Sequence, residues 1–322
     1  MATYKEINSA GIQNFSSDPG NPINGQVWYN TGSSTLKVAE VITTGSWATG
    51  GNLNSGRARL AGAGTQTAGL AFGGFSPYTA TEEYNGSAWT TVNNMGSGRQ
   101  SLAAAGTQTA GLGFGGSGPA GPSSTRVATE EYDGTNWTNG GNMGTGRYAL
   151  SGCGTQTAAL GFAGSSTPPF TFLNATEEYN GSSWTAGGNM GSSLYFKAGA
   201  GTQTAGLAFG GGYPNTTATE EYNGTAWTGG GNMNSARRRL AGAGIQTAAL
   251  GFGGYSPVTA ATEEYDGSSW TNSGNLNTAR QYLAGGGTVA AGLAFGGGST
   301  PTKNATEEFT GPGSTITTVT TS

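Results

Sequence analysis

The sequence predicts an all-β chain, a six-bladed β-propeller with a short N-terminal arm and β-hairpin. Three observations predict it. Six tryptophans, Trp47, Trp89, Trp137, Trp184, Trp227 and Trp270, recur at intervals of 42–48 residues. Between them stand landmarks at fixed distances. Glycine fills 62 positions while aromatic residues make up 10% of the chain, and glycine and aromatics at a steady period are the mark of stacked blades or hairpins.

The elements follow in order within each repeat. Ten residues after each Trp comes Arg57, Arg99, Arg147, Leu194, Arg237 or Arg280, and fifteen residues later comes Phe72, Phe114, Phe162, Phe209, Phe252 or Phe295. RARLAGAGTQ (Arg57–Gln66) is rich in small residues, as an innermost strand crowded near an axis requires. TAGLAFGG (Thr67–Gly74) is an apolar second strand, and ATEEYNG (Ala80–Gly86) a third that ends in an Asn-Gly turn, a pair that tolerates positive φ. The Trp lies on a fourth. From Phe to the first Glu of the next Glu-Glu pair the distance varies between 10 and 16 residues, and from that Glu to the next Trp it is always 7, so one loop absorbs all the length variation.

The last repeat, Arg280–Phe309, lacks a Trp strand, and the first Trp strand, around Trp47, lacks a preceding repeat. The expectation is that Trp47 joins the last repeat and closes the ring. The C-terminal STITTVTTS (Ser314–Ser322) alternates β-branched residues and could compete for that edge or extend it. The predicted division is an arm and hairpin at 1–37, read as a docking element, and a propeller at 38–322.

The order Met-x3-Arg, small strand, apolar strand ending Gly-Gly, then Glu-Glu-Tyr and Trp, as in Met95–Arg99, Gly115–Gly116, Tyr132 and Trp137, resembles the Kelch motif over about Val38 to Phe309. Leu194, Ala163 and Phe309 depart from it. GQVWYNTGSSTLKVAEV (Gly25–Val41) reads as a hairpin and is similar to a "WYNT…LKV" element of tailed-bacteriophage virion proteins. That resemblance implies a virion structural protein of the fibre, tail or decoration kind, made in the host cytoplasm. It would dock on other virion proteins through residues 1–40, with Trp28, Tyr29 and Leu36 as the docking side chains.

Composition excludes several chemistries. Net charge is −4, and the only cationic cluster is Arg237–Arg239, too short for the basic stripe of a nucleic-acid binder. Histidine is absent, which removes Ser-His-Asp catalysis and His-ligated metal sites. Cys153 is the single cysteine, at a position equivalent to Ala63 and Ala105, and reads as a buried substitute for alanine. No signal peptide or membrane span is visible. No cofactor and no catalytic residue is expected.

The six Glu-Glu pairs supply 12 of the 17 acidic residues. Strand neighbours point to opposite faces, so each pair places one carboxylate on each side of a blade, with the repeated Arg as a structural partner. If buried, such a pair costs more to break than it contributes. The variable loops carry the functional expectation: they present Phe75, Tyr78, Arg126, Phe170, Phe172, Tyr213, Tyr255 and Lys303 as binding residues on one face. The expected ligand is a host surface glycan or envelope protein. Alternative readings are an intracellular Kelch-type protein-interaction scaffold and a sialidase-like glycosidase.

Overall fold

The computed structural model describes residues 12–20, 25–42, 44–121, 126–167, 170–298 and 303–318. All regular elements among them are β-strands, arranged as seven four-stranded sheets. The chain divides into two compact units, Ser46–Gly311 and a smaller one made of Met1–Gly45 with Pro312–Ser322.

The small unit is one mixed sheet. Its strands are Gln13–Phe15, Val27–Asn30, Thr35–Ile42 and Gly313–Thr318, hydrogen-bonded in that order. Val27–Asn30 and Thr35–Ile42 form the hairpin read from the sequence, and Gln13–Phe15 runs parallel to Val27–Asn30. The C-terminal strand pairs with Thr35–Ile42, Gly313 opposite Ile42 and Thr318 opposite Lys37. It therefore extends the hairpin and not the last repeat; residues 319–322 lie outside the described part. The boundary expected at 37/38 would cut this central strand, whereas the compact units part after Gly45.

The large unit holds six equivalent antiparallel sheets, an arrangement consistent with a propeller. The first comprises Ala61–Gly64, Gly69–Phe72, Thr81–Tyr84 and Trp89–Val92, and the next four repeat its order. The sixth comprises Ala284–Gly287, Ala291–Phe295, Thr306–Thr310 and Ser46–Thr49, with Trp47 opposite Phe309. First strands of successive sheets lie in contact, and Ala284–Gly287 also contacts Ala61–Gly64. Together the six line a cavity of about 190 Å³ walled by glycine, alanine and Cys153. Burial pushes the Cys153 thiol up to about 12, as an inert core position requires.

Small residues on the first strand have a packing cause. A Cβ on Gly62, Gly152 or Gly285 would collide with the ring of Phe295, Phe114 or Phe252 from the neighbouring sheet. Each of those Phe rings also meets a Trp of the following sheet, with centroids 4.7–5.0 Å apart throughout the six copies, within the range that favours aromatic pairs. The Asn-Gly turns form as read: Asn85 Oδ1 accepts from Ser87 N and Ala88 N, and Gly86 has φ 90°.

Three polar links tie neighbouring sheets. Every repeat Trp donates its indole N–H to a Thr Oγ1 of the preceding sheet at 2.9–3.0 Å, from Trp89 to Thr306 through Trp47 to Thr262. Five Gln side chains, Gln66, Gln108, Gln156, Gln203 and Gln246, each donate to two carbonyls of the preceding sheet at 2.7–3.1 Å. Five Tyr hydroxyls donate to the second Glu of the preceding sheet, for example Tyr132 to Glu83 at 2.8 Å. Burial and that carboxylate push Tyr84, Tyr179, Tyr222 and Tyr265 up to about 12.

The sixth copy lacks two of these links. Val289 occupies the Gln position and Phe309 the Tyr position, and both would have reached the fifth sheet. Glu264 accepts instead from Ser273 Oγ. The seam between the fifth and sixth sheets thus keeps only the Trp47–Thr262 link of the three. Val289→Gln should stabilise the protein by about 1 kcal/mol, the net worth of a typical hydrogen bond, whereas Phe309→Tyr should not, because Ser273 already serves Glu264 and fills the place that glycine leaves for the hydroxyl in most other copies. Urea denaturation checks this; a midpoint that stays unchanged or falls in Val289→Gln would contradict it.

Candidate binding face

The repeated arginine sets up the face. Arg57, Arg99, Arg147, Arg237 and Arg280 are buried, and each pairs with the first Glu of its own sheet (Glu82, Glu130, Glu177, Glu263 and Glu307) at 2.7–2.9 Å. The second carboxylate oxygen of that Glu accepts a backbone N–H from the connection before the arginine, at 2.6–2.7 Å in all six copies. Burial lowers the arginine pKa and the facing Glu raises it. The other guanidinium nitrogen, Nη1, donates to two carbonyls at the two ends of the variable loop. In the first sheet these are Ala80 O at 2.6 Å and Gly73 O at 3.3 Å. Over the five copies the two bonds span 2.5–2.7 Å and 3.0–3.4 Å. One side chain thus closes the loop across its base, using the fixed fork of the guanidinium.

The fourth sheet solves the problem differently. Where the others read Arg-x-x-Leu, it reads Leu194-Tyr195-Phe196-Lys197. The charge has moved three positions along, and Lys197 Nζ faces Glu220 at 3.6 Å from a fully buried position. Burial lowers its pKa while Glu220 raises it. Leu194 packs beneath the loop, close to Gly212. No arginine closes this loop.

Two residues beyond each arginine position, at Arg59, Ser101, Ala149, Phe196, Arg239 and Tyr282, the backbone turns left-handed, with φ of 50–60°. Each of these residues donates its N–H to the carbonyl of the equivalent residue in a neighbouring sheet at 2.8–3.1 Å, and the sixth bond, Arg59 N to Tyr282 O, returns the series to its start. The six residues line a second cavity of about 150 Å³, together with Lys197 and the leucines that follow the others. Arg59 lies over the Tyr282 ring at 4.7 Å, and Arg239 lies over Tyr282, Tyr255 and Phe196 at 4.5, 5.2 and 5.3 Å. Arg238 sits between the neighbouring loops, over Tyr213 at 5.2 Å and Tyr255 at 5.0 Å. Contacts of this kind are worth about 0.5–2 kcal/mol each, depending on desolvation.

The structure places the expected binding residues unevenly. Tyr213 and Tyr255 converge on Arg238. Phe172 stacks on Tyr195 with centroids 4.6 Å apart, and Phe170 meets Tyr148 at 6.4 Å. Phe75 and Tyr78 form a pair of their own at 5.6 Å. Phe170 and Tyr213 remain 55% and 68% exposed. Arg126 is exposed, and Lys303 is half-buried, its backbone carbonyl accepting from Arg57 N. Among the described residues, neither forms a side-chain hydrogen bond, ion pair or cation–π contact with Arg59, Arg239 or the aromatics around them. In the small unit Trp28 is fully buried and donates its indole N–H to Asp18 at 3.1 Å, while Tyr29 is exposed and Leu36 half-buried. The bulk of Trp28 is spent inside its sheet, and Tyr29 is the hairpin aromatic that faces solvent.

The sequence did not single out Arg59, Tyr148, Tyr195, Phe196 and Tyr282, and offered Arg238 and Arg239 only as part of a short cationic cluster. Their signal is present: within an otherwise constant Arg-x-x-Leu frame, the two middle positions change chemistry from copy to copy. A scan against protein-family models gives no match, and a comparison with curated proteins gives none.

Removing one clasp arginine strands its buried partner. Arg147→Ala should cost about 3–5 kcal/mol, the range for breaking a buried pair by deleting one member. Chemical denaturation measures it, and a loss below about 1 kcal/mol, the size of an exposed pair, would refute the buried-clasp description.

Proposed function

We propose that the six sheets are the blades of a closed, Kelch-like six-bladed propeller, which serves without enzymatic chemistry as a recognition module on the virion of a tailed phage. The series of six backbone hydrogen bonds from Arg59 through Tyr282 supports closure, as does the pairing of Trp47 with Phe309 between strands far apart in the chain. The observation that carries the recognition reading is the cluster of arginines and exposed aromatics around the six-residue cavity. It is built on loops and turns that a uniform scaffold holds in place, the usual division of labour between framework and binding surface. The side chains there differ from copy to copy while the clasp beneath them hardly changes, so the face breaks the symmetry of the ring.

The virion assignment rests on the hairpin of Val27–Asn30 and Thr35–Ile42 and its similarity to phage virion elements. In this reading the small unit docks on a neighbouring virion protein, with Tyr29 exposed for contact, and the propeller displays its loops to the host surface.

Phage carrying Phe170→Ala, Phe172→Ala and Tyr213→Ala together should adsorb to host cells at least tenfold more slowly, while the purified protein stays folded at the assay temperature and still melts in a single cooperative transition. Mass spectrometry of purified virions provides the second readout. Adsorption at the parental rate, or absence of the chain from purified particles, would count against the proposal.

A further inference from the structure

We propose that the cavity ringed by Arg59, Arg239 and Tyr282 binds the anionic group, carboxylate or phosphate, of an acidic saccharide. The inference rests on the recognition reading and adds the chemistry of the ligand.

The scaffold does not need these side chains. The left-handed turn and its N–H to carbonyl bond are made equally well by Ser101 and Ala149. Arginine at two of six positions, with a tyrosine beside both guanidiniums, is therefore additional to what the fold requires. A non-glycine residue in this conformation carries strain of order 1 kcal/mol or more, and a long side chain there is held over the cavity by its backbone.

The charges are also uncompensated. Among the described residues, the five clasp arginines and Lys197 face glutamates, whereas Arg59, Arg238 and Arg239 have no carboxylate within ion-pair distance. Side-chain amide oxygens hold them: Gln100 accepts from Arg59 at 3.2 Å, Gln281 from Arg239 at 2.9 Å and Asn215 from Arg238 at 2.7 Å. Each amide orients a guanidinium and leaves its charge intact. The Nε atoms of Arg238 and Arg239 are shielded from solvent and have no hydrogen-bond partner. Two of the three, Arg59 and Arg239, line the cavity, and guanidiniums fixed there without counter-ions, in a chain of net charge −4, form a site that an anion completes. Guanidinium forks bind carboxylate and phosphate oxygens by paired, charge-assisted bonds.

Two features favour a saccharide over a peptide. The backbone donors and carbonyls of the six turns are consumed by their own cyclic bonding, so no main-chain edge is offered there for an extended peptide to pair with. In their place stand flat aromatic faces, Phe170, Tyr213 and the Phe172–Tyr195 stack, of the kind on which sugar rings lie. The cavity, at about 150 Å³, is smaller than the roughly 300–1,000 Å³ that enclose a whole small ligand. It takes one group of a longer chain lying across the face.

The test is biolayer interferometry with the purified full-length chain against immobilised oligomers of galacturonate, glucuronate and mannuronate, sialyllactoses, and a phosphorylated oligomannose. Each is paired with its carboxyl-reduced or dephosphorylated counterpart, and polyglutamate serves as the peptide arm. At least one acidic saccharide should bind, at least tenfold more tightly than its neutral counterpart. Arg59→Gln and Arg239→Gln should each weaken that binding at least tenfold while the protein stays folded at the assay temperature, as its circular dichroism and single cooperative melting transition show. Arg59→Lys, which keeps the charge and loses the fork, should fall between. The uronate and phosphate arms identify which anion is recognised. Equal binding of acidic and neutral forms, lost in the Phe170→Ala and Tyr213→Ala variants, would overturn the anion site and leave the recognition module standing. Tighter binding of polyglutamate than of any saccharide would overturn the saccharide. Binding to no acidic saccharide would overturn the inference, and the adsorption assay would then judge the recognition module separately.

Discussion

Five of the six variable loops on the candidate binding face are closed by a guanidinium that never meets solvent. Arg57 and its four counterparts donate through Nη2 to a buried glutamate and through Nη1 to both ends of a loop. The energetic logic is one-sided. Bringing both charges out of water costs several kcal/mol per ion, and their attraction offsets this only when the remaining hydrogen-bonding capacity is used. Here the glutamate's second oxygen takes a backbone N–H, and the guanidinium's spare nitrogen takes two carbonyls. Only the Nε atoms are left without a partner. A pair of this kind adds less to stability than to definition: it specifies where a loop of 8 to 14 residues begins and ends while leaving its middle free to change.

The same economy of parts shows why the repeats can differ without losing the framework. The fourth sheet exchanges the arginine and leucine of the frame for Leu194 and Lys197, so the cation approaches its glutamate from the other side of the turn. The ion pair survives in a longer form and the loop closure is given up. The loop above carries Tyr213, the most exposed aromatic among those expected to bind. At the seam between the fifth and sixth sheets, Val289 and Phe309 replace two hydrogen-bonding side chains, and the sixth sheet is the one assembled from both ends of the repeat array. Deviations from the repeat therefore collect where the framework is joined and where the face is decorated.

Much of this was legible in the sequence. Constant spacing from Trp to Arg to Phe fixed the strands, since a one-residue slip would turn every side chain to the wrong face. The Glu-Glu pairs announced opposite-facing carboxylates, and the structure gives the first to arginine and the second to a neighbour's tyrosine. The cavity rim was not legible. Its six residues share neither chemistry nor hydropathy, and what unites them is a backbone conformation, left-handed in arginine and phenylalanine as much as in serine. Arg238 and Arg239 read as a short charge run because the sequence does not reveal that Tyr213, Tyr255 and Tyr282 surround them. The fate of the C-terminal strand turned on which of two edges it joined, a choice that β-branched alternation alone leaves open.

The central claim is that the arginine clasp is what holds the variable loops. Amide hydrogen exchange by mass spectrometry tests it most directly, comparing the parent with a variant carrying Leu194→Arg and Lys197→Leu, which restores the common frame to the fourth sheet. The account predicts that loop residues 210–218 exchange faster than the clasped loops in the parent and slow to their rate in the variant. Equal exchange of all loops in the parent, with no change on restoring the arginine, would contradict it.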